Sequence, residues 1–227
     1  MNRRATSQEV ARGGPPQSLT DRAYFDLEEL IVTLKLAPGS VVSEAELSQR
    51  LNIGRTPIRE ALQRLAREHL VIVLPRRGIL VSEINVKRQL RLLEVRREVE
   101  RLIVRSAARR ATPEERTRFE ELAALFERSA NVNDDVTFMR TDLEFNQLCS
   151  SAARNEFATA AMSLMHALSR RFWYLHYKQA ADMPLTAKLH ADIARAIAAG
   201  KAEDAARACD RLIAVIEKFT HDTLATA

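Results

Sequence analysis

The sequence predicts a mainly α-helical chain in two parts: an N-terminal helix-turn-helix with a small β-hairpin wing, and a C-terminal antiparallel all-helical bundle. Three observations carry that expectation. Residues 43–81 read as helix, turn, helix and two short strands. Six amphipathic helical patterns then follow one another from Val86 to Leu224 without a strand signal, and such a run buries its apolar stripes by packing helix on helix. Charged residues make up 29% and aromatics only 5% of the chain, with Ala, Leu, Arg and Glu plentiful, which favours helix over sheet.

Residues 1–18 are polar, with Arg3, Arg4 and Arg12 beside the breaker cluster Gly13-Gly14-Pro15-Pro16; a disordered arm is expected there. From Thr20 onward, Ala23, Leu27, Leu30, Ile31 and Leu34 mark one face of a helix that ends before Pro38-Gly39. The next helix opens with a capping box, Ser43 followed three residues later by Glu46, and Leu47 and Leu51 give it an apolar edge. Asn52-Ile53-Gly54 breaks it, and Gly54 is expected to supply the positive φ of an abrupt turn. Thr56 is the expected N-cap of the following helix, with Pro57 at its first helical position. Ile58, Ala61, Leu62 and Leu65 then face a small core, which leaves Arg55, Arg59, Gln63 and Arg64 on or near the outward surface. The runs Val71–Leu74 and Ile79–Val81 flank Pro75-Arg76-Arg77-Gly78, a hairpin with two cations at its tip.

Asn85 begins the second part, and Val86 to Arg110 is a long helix with Leu90, Leu93, Val99, Leu102, Ile103 and Ala107 inward. Thr112-Pro113-Glu114-Glu115 is a second capping box, opening a helix to about Ser129. Beyond the polar break Asn131–Asp135, helices are expected over 135–153 and 155–179. Pro184 opens the next, which ends near Gly200, a suitable residue just past a helix end. The last runs from Ala202 to Leu224 with Ala205, Cys209, Leu212, Ile213 and Ile216 inward.

A chain of 227 residues can bury a real core in each part. Its net charge is only +5, yet the charge is unevenly spread. Between Arg50 and Arg77 seven arginines stand against Glu60 and Glu68, a local excess of five that marks a phosphate-binding surface. The start of a second helix in a helix-turn-helix enters the DNA major groove, where an arginine fork can grip guanine and helix-start amides can meet phosphate. A solvated basic face would explain two arginines alone; the order helix, turn, helix, basic wing favours DNA. Cys149 and Cys209 sit on amphipathic patterns far apart in sequence and read as small buried apolar groups in a reducing cytoplasm rather than a disulfide. No apolar run reaches membrane-spanning length and the N-terminus has no apolar signal core, so a cytoplasmic protein without membrane contact is expected.

The stretches Ala37-Pro38-Gly39-Ser40, Ser43-Glu44 to Leu47, Asn52 to Leu62 and Pro75 to Gly78 resemble the winged helix-turn-helix of the GntR family, most specifically in the run GRTPIREAL. The resemblance covers residues 19–82, and residues 85–227 resemble the helical FCD domain of the FadR-type branch. It implies a bacterial transcription factor: a homodimeric repressor that binds a short palindromic operator in double-stranded DNA and is released by a small metabolite. It further implies DNA contacts from Arg55, Thr56 and Arg59 on the second helix, Glu44 at the start of the first, and Arg76, Arg77 and Gly78 in the wing. Where some relatives place an arginine after the glutamate, this chain has Ala45, so its base preference should differ.

Asp142 and Asn146 lie one helical turn apart on one face, His190 sits in an aliphatic helix, and Arg96 interrupts the apolar side of the long helix. Taken singly they read as a solvated pair, a core histidine and an arginine paired with Glu100 four residues on. The resemblance adds a second reading. Many FCD domains hold a divalent metal with an aspartate, a histidine or asparagine four residues later, and two further histidines, and that metal helps bind a carboxylate effector. Asp142, Asn146 and His190 match the first three positions, but the fourth falls on Leu212, which ligates nothing. A weakly held Zn²⁺ or Ni²⁺, completed by water or effector, is the most this set implies. Arg96 matches an arginine the family points into its pocket, where it can clasp a carboxylate; pocket and pair both stay open. The cluster from Arg170 to Tyr177, with the only Trp and two of three Tyr, is left between pocket lining and dimer interface. Two rivals remain: an architectural DNA-binding protein with a structural bundle, and a metal-dependent enzyme using Asp142, Asn146 and His190. No paired acid and base, nucleophile constellation or phosphate loop supports the latter.

Overall fold

A computed structural model describes residues 18–132, 134–180 and 182–223; the expected arm falls almost wholly outside them. Ser18 caps the first helix, α1 (Leu19–Val32), by accepting from the Asp21 amide. A two-residue strand, β1 (Val41–Val42), precedes α2 (Glu44–Leu51) and α3 (Arg55–Arg67), and the wing follows as β2 (Val71–Leu74) and β3 (Gly78–Val81). The three strands form an antiparallel sheet in the order β1-β3-β2, with Val42 opposite Ile79 and Leu74 opposite Gly78. Ala23, Leu27 and Ile31 of α1 meet Ile58, Ala61 and Leu65 of α3 in a core closed by Val71, Ile79 and Val81.

Several local expectations change in the turn. The capping box at Ser43 and Glu46 is present in both directions. The left-handed residue, however, is Asn52 at φ 51°, not Gly54, whose φ is −57°. Asn52 ends α2 with its amide on Gln49 and Ser48 carbonyls, an arrangement asparagine tolerates because its short polar side chain lowers the cost of that conformation. Ile53 is driven into the core and its carbonyl accepts from the Ser48 hydroxyl at 2.6 Å. The chain is therefore already turned before Gly54, which becomes the N-cap of α3; the helix starts at Arg55, so Thr56 is not its cap and Pro57 is not its first residue.

The six remaining helices of the described residues are α4 (Val86–Arg110), α5 (Pro113–Val132), α6 (Asp135–Ala153), α7 (Glu156–Ala180), α8 (Met183–Ala198) and α9 (Ala202–Asp222). Asn85 caps α4, the Thr112–Glu115 box opens α5, and Gly200 follows α8 at φ 71°. Their shared core runs from Leu93 and Ile103 through Phe119, Phe126 and Phe145 to Ile193, Ile213 and Ile216. On α4 the buried line is Gln89, Leu93, Arg96, Glu100, Ile103 and Ala107, whereas Leu102 is 48% exposed and Val95 56%. Leu102 thus faces out, because a stripe spaced by three and four residues through Arg96 and Glu100 leaves it beyond the core edge. Antiparallel α4 and α9 are also joined by a ladder of ion pairs, Arg97 to Glu217 at 2.6 Å, Arg101 to Asp210 at 3.4 Å and Arg105 to Glu203 at 2.6 Å.

Helix α7 meets both parts. Ala167 is buried in the core of the N-terminal unit, and Arg170 reaches Glu28 and Glu29 of α1 at 3.8 and 3.6 Å. Arg171, only 1% exposed, binds the hydroxyl and carbonyl of Ser82 at the end of the wing. Burial pulls its guanidinium down to about 10, opposed by Glu83. The aromatic cluster packs the bundle: Trp173 lies 5.1 Å from Phe219 and 6.1 Å from Phe138, ring to ring, and Phe172 5.9 Å from Phe219. None of the described helices is long and apolar enough to cross a membrane.

Candidate functional site

The turn just described aims α3. Arg55, Thr56 and Arg59 are exposed at its first turns, and its cap residue Gly54 has no side chain to occupy the opening amides, so they stay open to an anion. Arg59 does not point freely into solvent. Its Nε lies 3.0 Å and its terminal nitrogen 2.7 Å from the two carboxylate oxygens of Glu44. That bond holds the Glu44 carboxyl below its ordinary range, with Arg55 adding to the effect. At the wing tip Arg76 and Arg77 are exposed, and Arg76 adopts φ 62°. Gly78 has a second reason to be glycine: at φ 108° any Cβ would lie 2.8 Å from the Val42 carbonyl of β1.

Arg64 stays near the outward surface, with 42% of its side chain exposed, but it is not free. Its guanidinium sits 3.6 Å over the Tyr24 ring and reaches Glu68 and Asp21 at 3.5 and 3.6 Å. The Tyr24 hydroxyl donates to Glu68 at 2.8 Å, and burial raises the carboxyls of Glu68 and Glu28 beside it.

The bundle holds a cavity of about 500 Å³. Arg96, Asn146, His190 and Leu212 all line it, and the two readings of Arg96 coexist: it faces the cavity while bound to Glu100 at 2.8 Å, both groups buried. Asp142 joins the same cluster. His190 Nδ1 donates to the Thr186 carbonyl at 2.8 Å, its Nε2 stands 3.1 Å from Asp142 Oδ1, and Asn146 donates to that same oxygen at 2.9 Å. Burial would raise the Asp142 carboxyl, but the His190 contact together with the nearby charges of His166 and Arg96 outweighs it and holds the group at about 2. Phe126, Phe138 and Phe145 enclose the His190 ring at centroid distances of 5.0 to 5.8 Å.

Sequence matching thus brought Asp142, Asn146 and His190 together, but not as a metal shell. Their donor atoms satisfy one another, Leu212 on the cavity wall offers no donor, and the described residues contain no group of three His, Cys, Asp or Glu able to hold a metal. The residues present do not fit a resident ion. Cys149 and Cys209 are both free, buried and on the cavity wall, and burial pushes both thiols well up.

Sequence reasoning missed His166, Phe25 and Arg64 as cavity residues. His166 Nε2 is buried without a partner, and burial lowers the ring to about 4. Its spacing of one turn from Met162, also on the wall, was the available signal. Nothing in sequence marks Phe25 and Arg64, which arrive from the other part of the chain.

Comparison with known proteins gives a consistent picture. The FCD domain family matches residues 91–215, and the family of bacterial regulatory proteins named gntR matches residues 19–81. The galactonate operon transcriptional repressor of Escherichia coli K12 is 31% identical, over 75% of this chain and 83% of its own. The HTH-type transcriptional repressor RspR of the same organism is 27% identical over 81% and 80%. The solved structure of E. coli McbR/YncC superposes with a TM-score of 0.79 at 18% identity, over 92% of this chain and 99% of that one.

Proposed function

The chain belongs to the gntR family of bacterial regulatory proteins and carries an FCD domain, and from that premise we propose that it is a metabolite-responsive repressor. It is a transcriptional regulator and not an enzyme. In this reading Arg55, Thr56 and Arg59 enter the major groove, Glu44 orients Arg59, and Arg76, Arg77 and Gly78 lie along the backbone as the wing. A homodimer presents two such heads to a palindromic operator, since paired half-sites need paired readers at fixed spacing. The outward Val95 and Leu102 of α4, two helical turns apart, support a second copy as the partner. Both named E. coli relatives are repressors, which supports repression.

The observation that carries the sensing function is the cavity itself: about 500 Å³, walled by Ile103, Phe145, Met162 and Ile193, with the polar groups of Arg96, Asn146 and His190 converging on it. That is the form of a small-molecule site. A carboxylate effector would approach Arg96, accept from it in competition with Glu100, and meet Asn146 and His190 beside Asp142. Zn²⁺ or Ni²⁺ is at most a weak addition. Thermal unfolding of the full chain against a panel of small carboxylic acids tests this, because a ligand at a hundred times its dissociation constant stabilises by about 2.7 kcal/mol. The stabilising acid should also release operator in a gel shift. If no acid stabilises the protein while it still binds operator, the sensing function is lost and an architectural DNA-binding role replaces it.

A further inference from the structure

The cavity is not sealed by the bundle. Phe25 of α1 and Arg64 of α3 form part of its wall, together with Met162, Ser163 and His166 of α7. Directly beyond His166, the same α7 turns to the N-terminal unit: Ala167 enters that core and Arg170, one turn on, pairs with Glu28 and Glu29. Arg64 is held by contacts of 3.5 to 3.6 Å to Asp21, Glu68 and the Tyr24 ring, and it belongs to the helix whose first two turns carry Arg55 and Arg59. From the bundle side, Asn146 and His190 line the same cavity, so polar groups from both parts of the chain meet one space.

We infer that the reading head closes the mouth of the cavity, so that the effector is an elongated molecule reaching from Asn146 and His190 to Arg64, with an anionic or other acceptor group at the Arg64 end. The inference rests on the cavity being the effector site. Such a ligand would draw Arg64 from Asp21 and Glu68 and displace Phe25, so the DNA-reading helix is itself part of the binding site. Occupancy and operator binding are then coupled by shared residues, and the coupling is reciprocal.

The two cysteines of the chain, Cys149 and Cys209, both lie on the cavity wall and report entry through the mouth without any effector in hand. The probes are two methanethiosulfonates of similar size, the anionic sulfonatoethyl and the cationic trimethylammonioethyl reagents, reacted with the full-length protein. Phe25→Ala should speed both reactions. Arg64→Gln should lower the ratio of anionic to cationic rates roughly threefold, since a cation at the mouth favours one reagent and opposes the other. Operator DNA should slow both. Leu47→Ala loosens the same head without touching the cavity and controls for unfolding, which admits both reagents alike. Unchanged rates in Phe25→Ala, an unchanged ratio in Arg64→Gln, or equal acceleration in Leu47→Ala would each overturn the inference. None of those results removes a ligand-binding cavity, whose own failure appears as absent thermal stabilisation by any acid.

Discussion

Arg59 on α3 grips Glu44 at the start of α2 with two guanidinium nitrogens, at 3.0 and 2.7 Å. Both side chains are accessible, so the bond adds little to stability. In the proposed reading it fixes where the Arg59 fork points before DNA arrives. Arg55→Ala and Arg59→Ala should each weaken operator binding about tenfold to a hundredfold, the worth of a lost bidentate base contact. Glu44→Ala should instead release Arg59, tightening scrambled DNA more than operator. Gel shifts with operator selected from random DNA and a scrambled control measure both; undiminished operator affinity in the arginine variants would misplace the reading head.

Arg77 at the exposed wing tip has a different expected signature. If it meets phosphate, Arg77→Ala weakens all sequences alike and reduces the slope of log affinity against log salt by about 0.9. A salt series on operator and scrambled DNA reads this directly. A loss confined to operator would mean that the wing reads bases.

His166 sets a pH window. Its ring titrates at about 4 in the folded chain and near 6.5 when unfolded. Between those values the unfolded chain takes up a proton that the folded chain refuses, so its cost is absent above pH 6.5 and grows as pH falls toward 4. The expected loss from pH 7.5 to pH 5 is on the order of 2 kcal/mol, and His166→Gln should shrink it. Urea unfolding of both forms at the two pH values checks this; identical pH dependence would show that His166 is not buried neutral.

By the family resemblance, Leu212 falls at the fourth position of the set of Asp142, Asn146 and His190, and it lines the same cavity. Leu212→His should raise affinity for Zn²⁺ or Ni²⁺, but less than a ready-made shell would, because the His190 Nε2 contact with Asp142 at 3.1 Å must first open. Calorimetric titration after chelator treatment compares the variant with a weakly binding wild type. Tight stoichiometric metal in the wild type would contradict the reading of this cluster.

What the sequence made readable was whatever repeats locally. The Ser43 and Thr112 capping boxes, the bounds of α6 and the paired wing strands all follow from side-chain types a few residues apart. Strand β1 was invisible because two residues, Val41 and Val42, are a strand only by pairing with Leu80 and Ile79. Gly54 was the natural choice for the left-handed turn, yet with Ile53 buried the bend falls two residues earlier, at Asn52. Convergence of Asp142 with His190 came from family likeness, not periodicity. Arg64 does lie near the surface, as its helix face required, but that the same side chain also walls the cavity depends on the docking of α7, which local spacing does not encode.

The ladder between α4 and α9 acts as a vernier. Its arginines recur every four residues, about 6 Å along α4, while the acids they meet recur every seven, about 10.5 Å along α9. Two scales with unequal divisions coincide fully in one alignment, so sliding α9 by a turn would leave most rungs unmatched. The pair is keyed to a single setting. The contacts of α7 with α1, from Arg170 to Glu28 and Glu29 at 3.8 and 3.6 Å, carry no such graduation.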